Sequence, residues 1–379
     1  METNAVTPPK KKRLKFIDMA RSVAILLMLE GHFVDDSLAK VYADPDSPVF
    51  ATWAYIRGFT APVFLTVTGL IFVFLLLRNQ EKFYFRNIRI RKGFKRVIEL
   101  LFWGLVVQWY AFHVLECIAI GILCILLIYG LYKLTRVIPL WVYFFMAGLM
   151  AFGLYTYIRD HHSGNTFIEN ALLDFYQGIY KTHPGSVSWF PVVPWVGFTM
   201  FGAMIGALLH DLKDHVRKWY FPASMFTIGA LFYFFPKDIL LFVDDLVTNI
   251  FHAAKGSIVS LDWLYLKLGM VFMELSCLVA IDIWIGDRIK PGNLFLKVGQ
   301  NTLTIYVLHM IVLYGSVFGI GINDYWHKAL GPWEVFFGAA GFVLLFVILI
   351  KYLDWIKDQL SFILNPIKRF FNAIFFVKA

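Results

Sequence analysis

Apolar runs of about 18 to 25 residues recur along the chain, and the short segments between them carry most of the charge. Each run is long enough to cross a hydrocarbon core as a helix, and no long polar stretch separates one from the next. The pattern predicts ten spans: Phe16 to Val34, Phe50 to Leu77, Val97 to Tyr110, Phe112 to Tyr132, Pro139 to Tyr157, Pro191 to His210, Trp219 to Phe235, Trp263 to Gly286, Leu294 to Gly319 and Trp333 to Tyr352. The third is short, and the joint at Ala111 reads as a hinge. The expected fold is therefore an all-α, polytopic transmembrane helix bundle. It has a basic N-terminal segment (residues 1–15), one membrane domain (16–352) and an amphipathic C-terminal segment (353–379) that lies on the membrane surface.

Composition agrees with a membrane solvent: 59% of the 379 residues are apolar and 18% aromatic, with a mean hydropathy of +0.66. The net charge of +9 does not point to nucleic acid, because the basic residues sit in short connectors and form no single patch. Most of them fall on the side of the N-terminus, whereas Lys40, Arg159, Lys181, Lys237, Lys255, Lys267 and Lys328 fall on the other. By the positive-inside rule both termini are expected in the cytoplasm. Cys117, Cys124 and Cys277 lie within apolar runs, so neither a disulfide framework nor a metal site is expected. The basic N-terminus resembles a signal peptide, but the run after it carries Asp18, Arg21 and Glu30 with no cleavage site, so it reads as the first span. The segments Arg159 to Phe190 and Pro236 to Asp262 read as outer loops that cap a cavity.

Ionisable groups inside spans cost a few kcal/mol or more unless paired or hydrated, so they mark candidate chemistry. In IDMARSVAILLMLEGHF, Arg21 and His32 are eleven residues apart, about 20° of rotation and about 16 Å of rise on a helix. They share one face at different depths. VGQNTLTIYVLHM brings Gln300, Asn301, Thr302 and His309 into the ninth span and places His309 at a depth like that of His32. RGFTAPVFLTVTGL puts Arg57 at the outer end of the second span. Each has a plain alternative: Arg21 paired with Asp18, His32 and His309 as packing residues, Arg57 as an interfacial arginine. Glu116, Glu274 and Asp282 are further intramembrane acids that serve equally well as ion-pair partners. Gly202 and Gly206 have the spacing of close helix packing. The connector RNQEKFYFRNIRIRKGFKR holds Arg89, Arg91, Lys92 and Arg96, which suit either anionic headgroups or the phosphates of coenzyme A.

The Arg21 and His32 spacing resembles the Arg-x10-His motif of the acyltransferase family 3 membrane proteins. The segments FIDMARSVAILLMLEGHF, RGFTAPVFLTVTGL, FHVLECIAIGIL, FPVVPWVGFTMFGAMIG and VGQNTLTIYVLHM are, in order and spacing, similar to bacterial relatives of heparan-alpha-glucosaminide N-acetyltransferase. The resemblance implies a plasma-membrane (bacterial inner-membrane) enzyme that moves an acyl group, acetyl above all, from cytoplasmic acyl-CoA to a hydroxyl or amine of a sugar or glycan beyond the membrane. It implies His32 as the catalytic histidine with Arg21 as its motif partner; the residues themselves add Arg57, Asn301, His309 and Glu116 as candidate site-lining groups and Arg89, Arg91, Lys92 and Arg96 as candidate acyl-CoA-binding cations. No metal is expected, the partners are the lipid bilayer, acyl-CoA and a glycan acceptor, and a homo-oligomer is compatible with all of this. Glu116 and Cys117 depart from the usual run of that group. The rival reading is a multi-helix transporter or flippase without acyl-transfer chemistry.

Overall fold

A computed structural model describes residues 14 to 369 except 80, 82, 109–111, 162–171, 173–187, 252–257, 291, 360, 363–364 and 367–368. The described residues form helices, with one isolated β-bridge between Leu38 and Leu330. The helices are α1 (Lys15–Ser37), α2 (Pro48–Arg57), α3 (Thr60–Leu77), α4 (Ile88–Val107), α5 (Val114–Thr135), α6 (Leu140–His161) and α7 (Val192–Asp211). They continue as α8 (Tyr220–Phe234), α9 (Pro236–Phe251), α10 (Asp262–Ile285), α11 (Leu294–Gln300), α12 (Thr302–Tyr314), α13 (Asn323–Trp326) and α14 (Pro332–Gln359).

Among the described residues, six helical stretches are long and apolar enough to cross a membrane, and α8 with α9 makes a seventh if the bent pair is one span. The chain is thus a multi-pass membrane protein. Helix α1 falls outside that set because it carries Asp18, Arg21, Glu30, Asp35 and Asp36, yet it lies among α3, α10, α11, α12 and α14, with Ala20, Ile25 and Leu29 fully buried. An ionisable helix at the centre of a bundle is the arrangement that membrane energetics allow, since its polar groups are kept off the lipid.

Every run read as a span has helix through its described core, with four informative differences. The second is broken at Gly58 and Phe59 into α2 and α3, and the ninth at Asn301 into α11 and α12. The connector read as a basic loop is helical from Ile88, where the Asn87 side chain accepts the Arg89 amide at 2.8 Å as an N-cap. Residues 236–251, read as loop, are helix α9, set at 84° to α8. Its polar residues Asp238, Asp244 and Asp245 hid an amphipathic helix, in which Leu241, Phe242 and Leu246 are exposed and Asp244 is buried. Most of the loop read over residues 159–190, the hinge at Ala111, the first basic residues Lys10 to Arg13 and most of the C-terminal segment lie outside the described residues; α6 runs to His161 and α14 to Gln359.

Close helix approach holds the frame. A Cβ at Gly202 would collide with the Thr66 carbonyl of α3, one at Gly206 with the Leu70 carbonyl, and one at Gly69 with the Thr199 carbonyl of α7. Helices α8 and α10 meet likewise at Gly229 and Gly269. Here the small residues let backbones touch, which is how helices associate without a hydrophobic drive.

Asp282 has a capping role. Helix α1 has no side-chain cap of its own, and Asp282 Oδ2 on α10 accepts the amides of Lys15 (2.9 Å) and Phe16 (3.3 Å). Lys15 Nζ in turn donates to the carbonyls of Gly286 and Ile289, at 2.6 and 2.9 Å. The start of α1 is thereby fixed to the end of α10. The other end of α1 is held by the segment before α14, through Lys328 N to Asp36 O (2.8 Å) and Leu330 N to Ser37 O (2.9 Å). Glu274 Oε1 is buried with no hydrogen-bond partner among the described residues.

Candidate functional site

Helices α1 and α12 face each other with polar groups at two depths. At the deeper level, counted from the Asp35 end of α1, Arg21 Nη2 donates to Thr302 Oγ1 at 2.7 Å. Gln300 Nε2 donates to Asp18 Oδ2 at 3.2 Å beside it. Asn301 sits at the break between α11 and α12 and donates to the Lys297 carbonyl at 2.8 Å, so it stabilises the break and stands a full seven to eight residues below His309. The approach of α11 to α1 is tight, because a Cβ on Gly299 would meet the Asp18 carbonyl and the Ser22 hydroxyl.

At the upper level His32 Nδ1 lies 3.1 Å from His309 Nε2, with the ring centroids 5.1 Å apart. His309 is fully buried, and its Nδ1 lies 3.2 Å from the carbonyl of Ile305. That carbonyl can only accept, so His309 Nδ1 carries the hydrogen, and in the neutral ring Nε2 holds the lone pair. His32 Nδ1 must then donate to it. By elimination the lone pair of neutral His32 resides on Nε2, the atom left for a substrate. The i−4 carbonyl of one helix thus sets the tautomer of a ring on another.

The surroundings of this pair are polar and aromatic. The Tyr314 ring stands edge-on to His32 at 6.2 Å. Arg57 lies along α1 against Gly31, where a Cβ would come within 2.9 Å of Arg57 Nε. Its guanidinium pairs with Asp35 at 2.6 Å and covers the Trp53 ring at 5.6 Å. Trp53 Nε1 donates to Glu30 Oε1 at 2.7 Å. Sequence reasoning named Arg57 but missed Trp53, Tyr314 and Asp35, because an aromatic or acid near a span's end carries no pattern of its own.

Glu116 lies apart from His32, one ring further into the bundle. It closes a capping box at the start of α5 with His113, whose Nδ1 is 3.0 Å from Glu116 Oε2 and whose Nε2 faces the Gly104 carbonyl at 3.2 Å. Tyr306 packs between the two centres, 6.1 Å from the His113 ring and 5.1 Å from that of His309. Arg89, Arg91, Lys92 and Arg96 lie in the first half of α4. Arg89 and Arg96 share a face there, whereas Arg91 points about 160° away from it. Arg96 pairs with Glu99 at 3.0 Å, and Arg91 Nε is buried with no hydrogen-bond partner among the described residues. A guanidinium left in that state is suited to an incoming anion. No group of three or more His, Cys, Asp or Glu able to hold a metal occurs among the described residues.

No curated protein matches the chain. A family model described as heparan-alpha-glucosaminide N-acetyltransferase, catalytic, matches residues 13–235, a stretch that contains Arg21, His32, Arg57 and Glu116 and ends before α11 and α12. Since the match takes in more than half of the chain, the protein belongs to the heparan-alpha-glucosaminide N-acetyltransferase catalytic family.

Proposed function

We propose that this protein is a membrane acetyltransferase that takes an acetyl group from cytoplasmic acyl-CoA and delivers it to a hydroxyl or amine of a sugar presented on the far side of the membrane. The observation that carries this reading is the His32 and His309 pair, which leaves a lone pair at His32 Nε2 on the half-buried member.

In this mechanism the acceptor oxygen or nitrogen attacks the thioester carbonyl carbon while His32 Nε2 takes its proton. The carbon–sulfur bond then breaks, and the thiolate recovers that proton from the His32 imidazolium to leave as free thiol. A neutral imidazole that gains one proton and returns it serves both halves of the transfer. Helix α1 enters from the cytoplasm, so Arg21 lies on the donor's side and His32 toward the acceptor's. Arg21, held by Thr302, supplies a positive charge to the donor's pantetheine or phosphate end, and His309 orients His32. The cations of α4, with Arg91 Nε unpartnered, attract the coenzyme A phosphates at the cytoplasmic surface. Both termini are then cytoplasmic, and the family's name points to an aminosugar as the acceptor. The bacterial inner membrane is the location that fits the basic connectors.

The test uses protein reconstituted in proteoliposomes with radiolabelled acetyl-CoA and glucosamine-containing glycans. Wild type transfers label to glycan, and His32→Ala of equal yield loses about a hundredfold or more in rate. A His32→Ala protein that transfers at the wild-type rate defeats the proposal.

A further inference from the structure

A second feature of α1 lies on the side away from His32. Helices α1, α2 and α14 enclose a lateral groove of about 900 Å³, with Leu27 and Val34 on its floor, Phe50 and Trp53 on one wall and Ala340 and Val343 on the other. It runs along α14 from Pro332 to Val347, fifteen residues or about 22 Å, which exceeds half of a roughly 30 Å hydrocarbon core. The walls are almost wholly apolar. Ser47 at one end and Glu30, whose carboxylate is bonded by Trp53 Nε1, are the exceptions. A carboxylate beside lipid is costly, and its position next to Arg57 shows what it adjoins.

Glu30, Gly31 and His32 are consecutive, so Glu30 and His32 project about 200° apart on α1. Arg57 lies across the gap, against Gly31 between the two. A strip of polar groups therefore runs around α1, from Trp53 and Glu30 through Arg57 and Asp35 to His32. Helix α1 is about 10 to 12 Å across with its side chains, so the strip from Glu30 to His32 follows an arc of roughly 15 Å, which a sugar, its phosphate and the first carbons of a tail together span. The outer mouth carries cations: Lys328 Nζ donates to the Asp35 carbonyl, and Lys40 is exposed beside Leu38 and Tyr42 of the groove. An apolar trough that opens to lipid and ends at cations next to a catalytic base has the chemistry of an amphiphile with an anionic linkage.

We infer that the groove holds the hydrocarbon tail of a lipid-linked sugar phosphate and that the acceptor reaches His32 from the membrane along the Arg57 strip. The inference rests on the acyltransferase reading for the identity of the head, while occupancy of the groove is measured without it.

The probes are a dodecyl glucosamine phosphodiester with a diazirine at the chain end and its methyl counterpart with the same head. In nanodiscs, photolabelling of wild type is expected to concentrate on residues 335–347 of α14, and Ala340→Trp, which fills the groove from an exposed position, is expected to abolish it. In the transfer assay the dodecyl probe is expected to have a KM about tenfold below that of the methyl probe in wild type, and equal to it in Ala340→Trp, with the acetyl-CoA KM unchanged. Labelling spread evenly over the lipid-facing helices, unaltered by Ala340→Trp, overturns the inference, as do equal KM values for the two probes in wild type. Labelling confined to α14 in a wild type that transfers acetyl to neither probe supports the groove and removes the acyltransferase reading instead.

Discussion

Replacing His309 by leucine isolates the step on which the mechanism turns. The exchange keeps an apolar side chain of similar bulk in a fully buried position and removes the acceptor 3.1 Å from His32 Nδ1. The His32 Nδ1–H is then left without its partner, at a cost of about 1 to 3 kcal/mol for the arrangement that keeps Nε2 toward the substrate. The ring can escape that cost by changing tautomer or rotating, and each escape takes the lone pair away from the reacting proton. At 1.4 kcal/mol per tenfold, kcat falls by about five- to 150-fold. His309→Gln supplies an amide oxygen near the former Nε2 position and is expected to recover most of the loss. The acetyl-CoA KM is expected to stay within about twofold in both variants, because Thr302 lies two turns and Arg21 three turns deeper. Steady-state transfer from radiolabelled acetyl-CoA, on protein shown to be monodisperse, measures all of this. A leucine variant with the wild-type kcat, or a glutamine variant no better than leucine, refutes the tautomer argument.

Thr302→Val removes the acceptor 2.7 Å from Arg21 and is expected to raise the acyl-CoA KM by about three- to tenfold while kcat changes little, as read from saturation curves. Gly31→Val places a branched side chain where Arg57 Nε lies and is expected to break the Arg57 and Asp35 pair; a drop in kcat/KM for the acceptor with an unchanged acyl-CoA KM is the expected pattern in two-substrate kinetics. Gly202→Leu drives a side chain into the Thr66 carbonyl, so a loss of at least about 2 kcal/mol and a fall in the melting temperature are expected by thermal shift in detergent. Asp282→Ala removes the carboxylate that caps α1 and is expected to cost about 1 to 2 kcal/mol in the same assay, with activity lost only as the protein unfolds.

How far the site could be read from sequence follows from what a helix encodes. Rise is linear in residue number, so depth can be counted, and counting put His32 and His309 at one level, where they meet at 3.1 Å. Azimuth between helices cannot be counted, because it depends on packing that no periodic pattern states. Glu116 therefore read as site-lining, yet it faces His113 with the Tyr306 ring between it and His309. Asn301 read as site-lining, yet it donates to Lys297 at the break between α11 and α12, a role in local backbone geometry that depth counting does not reveal. Asp282 read as an ion-pair acid, and it serves backbone amides 267 and 266 residues away.

The two levels of the site also bear on each other through length. Arg21 and His32 are eleven residues apart on α1, whereas Thr302 and His309 are seven apart on α12, a mismatch of four residues or about 6 Å. Two parallel helices can hold both contacts only if one side chain spans the difference, and of the four groups arginine alone has the length. A lysine at position 21 retains the charge but loses the planar fork with which the guanidinium reaches Thr302. Arg21→Lys is therefore expected to behave nearly as badly as Arg21→Ala in acyl-CoA KM. Recovery of wild-type KM by lysine would mean that charge alone, without reach, is what position 21 provides.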